Sequence, residues 1–148
     1  MAEKLLVSAC LLGMKCRYDG KSVPCKLNLP EDKFIIVPFC PEIYGGLPTP
    51  RTPSEIVGDK VMTSDGRDVS ENYERGAREA LLLAEKLGIK KALLKERSPS
   101  CGNNFIYDGT FSGKLKKGNG VTAKLLKENK IEVLGESDLE RLINEVGR

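Results

Sequence analysis

The stretch Val69–Lys95, VSENYERGAREALLLAEKLGIKKALLK, reads as a helix running straight into a strand, and it decides the fold class. Val69, Tyr73, Ala77, Ala80, Leu81, Ala84 and Leu87 recur at helical spacing and mark one apolar face. Asp68 or Ser70 can cap the start and Gly88 ends the run. The strand Lys91–Lys95 follows at once, which makes half of a βαβ unit and argues for a parallel sheet. Working outward, Lys4–Ala9, Lys33–Phe39 and Ile131–Leu134 read as further strands, and Val121–Glu128 as a second helix. A last helix follows, with Ser137 and Glu140 in a capping-box pattern. Two hairpins are expected, one around Gly58-Asp59-Lys60 and one over Phe105–Phe111 with Asp108-Gly109 inside it. Pro24 and Pro30 bracket a short helix around Cys25–Leu29. The segment Pro41–Pro53, with Gly45-Gly46 and four prolines, reads as an extended surface loop that excludes helix. The expectation is one α/β domain over residues 1–148, a Rossmann-like sheet of about four mainly parallel strands with flanking helices.

Composition narrows the function classes. A 148-residue chain is long enough for one sizeable core, and 40% hydrophobic with 30% charged residues is ordinary for a globular protein. No apolar run approaches the roughly 20 residues that span a bilayer. The start Met1-Ala2-Glu3-Lys4 lacks a signal-peptide pattern, so a cytoplasmic protein is expected. In that reducing compartment five cysteines, an odd number, point to metal ligands or reactive groups before disulfides. A net charge of +3 does not imply nucleic acid. Lys114, Lys116, Lys117, Lys124, Lys127 and Lys130 make the later third basic, but without interleaved aromatics they read as a solvated helix face. Histidine is absent, which excludes Ser–His, Cys–His and zinc–His chemistry. Acid–base work then falls to Asp, Glu, Lys, Tyr or Cys.

Cys10, Cys40 and Cys101 each stand just past a strand-like run. In a parallel sheet those carboxyl ends share an edge, where open α/β sheets place ligands. Singly, each would read as a small buried hydrophobe. Together, in Cys10-Leu11-Leu12-Gly13, Cys40-Pro41-Glu42 and Ser98-Pro99-Ser100-Cys101-Gly102, they suggest a metal or iron–sulfur centre with one open position. Neighbouring Gly and Pro let backbone amides turn toward a sulfur or an anion. Cys16 is open to three readings, as a fourth ligand, a persulfide relay or a packed thiol; Cys25 reads as packing. A four-cysteine zinc site lacks the close C-x-x-C pairs that structural zinc favours. Glu42, two residues past Cys40, can serve as general acid or base. Ser98 and Ser100 can orient a polar substrate or close a turn. Arg17 and Arg51, in the two loops nearest the strand ends, can bind an anionic or carbonyl-bearing ligand.

Val7–Gly13, Cys16-Arg17-Tyr18-Asp19-Gly20, Cys40-Pro41-Glu42 with Gly45–Arg51, and Leu94–Gly102 together resemble the thiouracil desulfidase family, a bacterial family formerly classed as a domain of unknown function. Tyr107–Phe111 and Gly118–Val121 extend the likeness over nearly the whole chain. The resemblance implies a [4Fe-4S] cluster held by Cys10, Cys40 and Cys101, with one iron open to a small thiolated pyrimidine-like substrate. It implies non-redox desulfuration, in which water replaces the thiocarbonyl sulfur and the sulfur departs as sulfide. Glu42 would then move the proton, Ser98 would hydrogen-bond substrate or water, and Ser100 would be the second choice for that contact. The same cysteines also fit a non-catalytic zinc or thiol-based redox sensor. An RNA-binding module built on the later lysines is the third class, and the missing stacking aromatics count against it.

Overall fold

The computed structural model describes residues 2–21, 29–30 and 32–146. In chain order its elements are β1 (Glu3–Ser8), β2 (Phe34–Phe39), the one-turn helix α1 (Pro41–Tyr44), β3 (Ser54–Val57), β4 (Lys60–Thr63), α2 (Ser70–Leu87), β5 (Lys91–Leu94), β6 (Phe105–Tyr107), β7 (Leu115–Lys117), α3 (Val121–Glu128), β8 (Glu132–Gly135) and α4 (Leu139–Val146). Four strands form a parallel sheet in the order β2-β1-β5-β8. Since β2 lies on one side of β1 and β5 on the other, the chain reverses its winding direction at β1. The expected α/β domain with four parallel strands is what the chain forms.

Strand alternation divides the core. Leu5, Val7, Phe34, Leu93 and Leu134 pack with Leu11, Cys16 and Leu142 on one face of the sheet. Leu6, Ala92, Leu94 and Val133 pack on the other face with Ala80 and Ala84 of α2 and Ala123 and Leu126 of α3. The two side-chain sets differ because successive residues of a strand point to opposite faces. Helix α2 buries Tyr73, Gly76, Ala77, Ala80 and Ala84, a stripe of mostly small residues that lets it approach its neighbours closely.

The structure revises the sequence reading in three places and decides between two capping candidates in a fourth. Pro41–Pro53 contains a turn of helix, α1, because a proline at the first helical position keeps its required φ and lacks only an N–H that has no partner there. Ser137 does not cap the last helix: its hydroxyl donates to Glu96, and Asp138 accepts the Gly135 N–H instead. The second hairpin pairs β6 with β7, so Asp108-Gly109 opens a wider loop than a two-residue turn. At the start of α2, the Asp68 carboxylate accepts the Ser70 N–H, while the Ser70 hydroxyl donates nothing to the helix and accepts the Val61 N–H. The helix expected around Cys25–Leu29, and Cys25 itself, lie almost wholly outside the described residues.

The contact between α1 and α2 positions the loop after β2. The Gly45 carbonyl at the end of α1 accepts hydrogen bonds from Asn72 and Arg75, both 2.8 Å. At Gly76 a Cβ would stand 1.9 Å from the Pro41 carbonyl oxygen. No side chain fits there, and the obstacle is backbone. We expect Gly76→Ala to cost about 1–3 kcal/mol, a fall of roughly 2–10 °C in the thermal midpoint. Glu79→Ala, on the exposed side of the same helix, should leave the midpoint within about 2 °C. A Gly76→Ala midpoint equal to the parent's would contradict the close approach.

Candidate active site at the carboxyl edge of the sheet

Three chain segments leave adjacent strands and bring their cysteines to one cleft of about 500 Å³. Cys10 follows β1 in a 3-10 turn over Ala9–Leu12, closed by Gly13 in the left-handed conformation at φ 96°. Cys40 follows β2 and precedes α1 in extended conformation. Cys101 follows β5 in a loop seated on the start of α3. There the N–H of Val121 donates to Pro99 (2.8 Å), and those of Thr122 and Ala123 donate to Ser100 (2.9 and 3.2 Å). Gly120 is required at that junction, since a Cβ would lie 2.4 Å from the Ser100 carbonyl. Cys16, from the loop after the 3-10 turn, joins the other three, and all four are free thiols lining the cleft.

Burial and mutual contact govern these thiols. The neighbouring Cys10 side chain, with burial, pushes the pKa of Cys16 up to about 11, and the Cys40 thiol donates to the Cys16 carbonyl at 3.9 Å. The Cys16 side chain, followed by burial, raises the pKa of Cys40. Burial pushes Cys101 up to about 12 despite the Ser8 hydroxyl, which donates to its sulfur at 3.4 Å. In the metal-free protein these three thiols are therefore neutral near pH 7. Metal binding at Cys40 and Cys101 must displace their protons.

Glu42 projects from α1 into the same cleft. Its Oε2 accepts from Arg51 Nε at 3.1 Å, Arg51 Nη2 at 2.8 Å and the Tyr73 hydroxyl at 3.1 Å. None of these donors reaches Oε1. Burial opposes the Arg51 charge, but Glu42 outweighs it and the guanidinium pKa rises. Arg51 also donates to the carbonyls of Cys16 (3.1 Å) and Pro48 (3.3 Å) and to the Thr49 hydroxyl (3.2 Å). Its five N–H groups thus all have protein partners. Arg51 lines the cleft but has no free donor for a ligand; it ties Glu42 to the Cys16 loop.

The two serines expected beside Cys101 part company. Ser98 lines the cleft, and its oxygen accepts the N–H groups of Ser100 and Cys101, each at 3.0 Å. With both lone pairs engaged, its own O–H is left to donate. Ser100 is fully buried, its hydroxyl 2.9 Å from that of Thr122, and it does not line the cleft. Its place is in the packing under the loop. Arg17 lines the cleft with a long ion pair to Asp19 at 3.8 Å, and its guanidinium lies 5.9 Å from the centre of the Tyr18 ring.

Two contributors escape a reading of the sequence. Tyr73 has the spacing of a core residue on α2, and nothing in that periodicity reveals that its hydroxyl meets Glu42. Ser8 looks like the last residue of a strand, yet its oxygen accepts the Lys95 N–H at 2.9 Å while its hydroxyl donates to Cys101. A buried serine within an apolar strand was the available signal.

The donor set is soft, thiol-rich and free of disulfides, which suits iron–sulfur ligation. Among the described residues no three His, Cys, Asp or Glu groups are set as ligands of a single metal ion. Also among the described residues, no helix is long and apolar enough to cross a membrane.

The chain is 43% identical over 150 residues to the uncharacterized protein YbbK of Bacillus subtilis, a match taking in 94% of this chain and 99% of that one. Among solved structures it superposes on the [4Fe-4S]-dependent thiouracil desulfidase TudS with a TM-score of 0.91 and 45% identity over 98% of both chains. The model of the 2-thiouracil desulfurase family matches residues 5–138. With its thiols, Glu42 and Ser98 gathered at one sheet edge, this chain belongs to the 2-thiouracil desulfurase family.

Proposed function

We propose that this protein is a [4Fe-4S]-dependent desulfidase that converts the thiocarbonyl of a thiolated pyrimidine-like compound to a carbonyl and releases sulfide. The observation that carries the reading is the convergence of Cys10, Cys40 and Cys101 from three parallel strands on a cleft that also holds Glu42 and Ser98. Family membership and the likeness to TudS support it. Cys10, Cys40 and Cys101 would hold the cluster, leaving one iron without a protein ligand. When bound, the cluster supplies a Lewis acid and an acceptor for the thiocarbonyl sulfur.

The chain's own residues supply the remaining chemistry. Water provides the oxygen, sulfur leaves at the oxidation level of sulfide, and no electrons are exchanged. Glu42 takes the proton of the attacking water at Oε1, since Arg51 and Tyr73 already occupy Oε2. Those two donors also fix the carboxylate's orientation, so it meets the water without rearranging. The Ser98 hydroxyl donates to the substrate or the water. Ser8 keeps a donor on the Cys101 sulfur, which favours its thiolate once a metal is bound.

Protein reconstituted without oxygen should convert 2-thiouracil to uracil and sulfide. Cys10→Ser, Cys40→Ser or Cys101→Ser should each lose colour and turnover together; full iron and activity in any one would remove that residue from the ligand set. Glu42→Gln should keep its iron and sulfide while kcat falls about 100-fold or more. A Glu42→Gln enzyme within threefold of the parent would leave the proton to another group. Cys16→Ser separates a three-thiol ligand set from a four-thiol one. In the three-thiol account its iron content stays at the parental level, and loss of iron would make Cys16 a ligand.

A further inference from the structure

One buried carboxylate in the cleft plays no part in the chemistry derived above. Glu55 on β3 is 8% exposed, and among the described residues no ion pair reaches it. Its Oε1 accepts two backbone N–H groups, from Gly109 at 2.9 Å and Phe111 at 3.2 Å. Burying a charged group is costly unless hydrogen bonds compensate, and here they come from the loop between β6 and β7. The loop is held tightly at that point. Gly109 has φ 92°, and a Cβ on it would stand 2.7 Å from the Ile56 carbonyl of β3. Phe111, two residues on, has φ 57°, a left-handed conformation that is uncommon outside glycine and asparagine.

A bulky residue held in such a backbone at a functional cleft is an outlier that calls for a reason. Phe111 lines the cleft at 38% exposure, along with Tyr107 from the same hairpin and Tyr18 from the Cys16 loop. With Phe39 and Tyr73, five of the chain's four Phe and four Tyr line this one cleft. Tyr73 is occupied by Glu42, and Phe39 stacks on Tyr44 at 4.5 Å between centroids. Tyr18, Tyr107 and Phe111 are left to face a ligand. Flat aromatic surface in a cleft that also holds thiol and carboxylate groups suits a planar heteroaromatic ring.

We infer that Phe111 is a specificity-determining wall that stacks on the substrate's ring, and that Glu55 is a positioning residue whose carboxylate holds the Phe111 loop in place. The inference rests on the desulfidase reading for the reaction, though not for the binding. Acyclic thioamides, lacking a ring to stack, would forgo this contact.

Steady-state kinetics and calorimetric binding of 2-thiouracil and uracil to the anaerobically reconstituted protein test it. Phe111→Ala should raise KM and weaken binding of both rings roughly five- to tenfold, with kcat and iron content at the parental level. Glu55→Ala should reproduce that pattern, while Glu55→Gln, which keeps the accepting oxygen, should restore KM to within about twofold. A parental KM in Phe111→Ala would overturn the wall. Loss of iron or kcat in Glu55→Ala, or failure of Glu55→Gln to restore KM, would overturn the positioning role. A parent protein that binds these rings without converting them would refute the desulfidase reading and leave this one standing. A parent that binds neither ring would refute the wall itself.

Discussion

Four parallel strands present their carboxyl ends on one side, and the meeting of Cys10, Cys40 and Cys101 depends on that constraint. Cysteines separated by 30 or more positions in the chain meet because β1, β2 and β5 run in the same direction as immediate neighbours. An antiparallel strand among them would send its cysteine to the far edge. The winding reverses at β1, so the loops after β1 and β5 diverge and open a crevice between them. Cys10 and Cys101 stand on its two sides, and Cys40 closes it from β2.

Orientation at the edge comes from close backbone contacts. The loop that carries Cys101 rests on the first amides of α3, with Gly120 permitting the approach. The loop that carries Cys40 and Glu42 rests on α2, with Gly76 permitting that one. A glycine within α2 and a glycine just before α3 thus let the two loops seat closely on the helices. Arg51 completes the assembly. Its guanidinium joins Glu42 to the Cys16 carbonyl, so one side chain ties the carboxylate to the thiol loop.

Much of the fold was legible because its signals are periodic. The helix over residues 70–87, the strand after it and the four apolar runs needed only spacing and a capping glycine. What escaped did so for local reasons. The turn of helix at Pro41–Tyr44 hid behind a proline count, although proline at the first helical position favours a helix. The cysteines could be chosen from sequence because each follows a strand. Ser98 and Ser100 could not be told apart, since two residues of separation in a turn decide which hydroxyl faces the cleft and which meets Thr122. Arg51 was visible as a loop arginine near the site, but spacing says nothing about its five donors already having partners. Glu55 and Phe111 carried no signal beyond hairpin residues; their link appears only when β3 and the β6–β7 loop are brought together.

The account rests on a cluster seated at these thiols, and iron with acid-labile sulfide, measured per chain on protein reconstituted without oxygen, tests that most directly. Iron and sulfide close to the four-to-four content of a [4Fe-4S] cluster, with a broad absorption band in the visible, is the result expected. Zinc alone, or no metal after complete reconstitution, would contradict the account and return the cysteines to a thiol-sensor role.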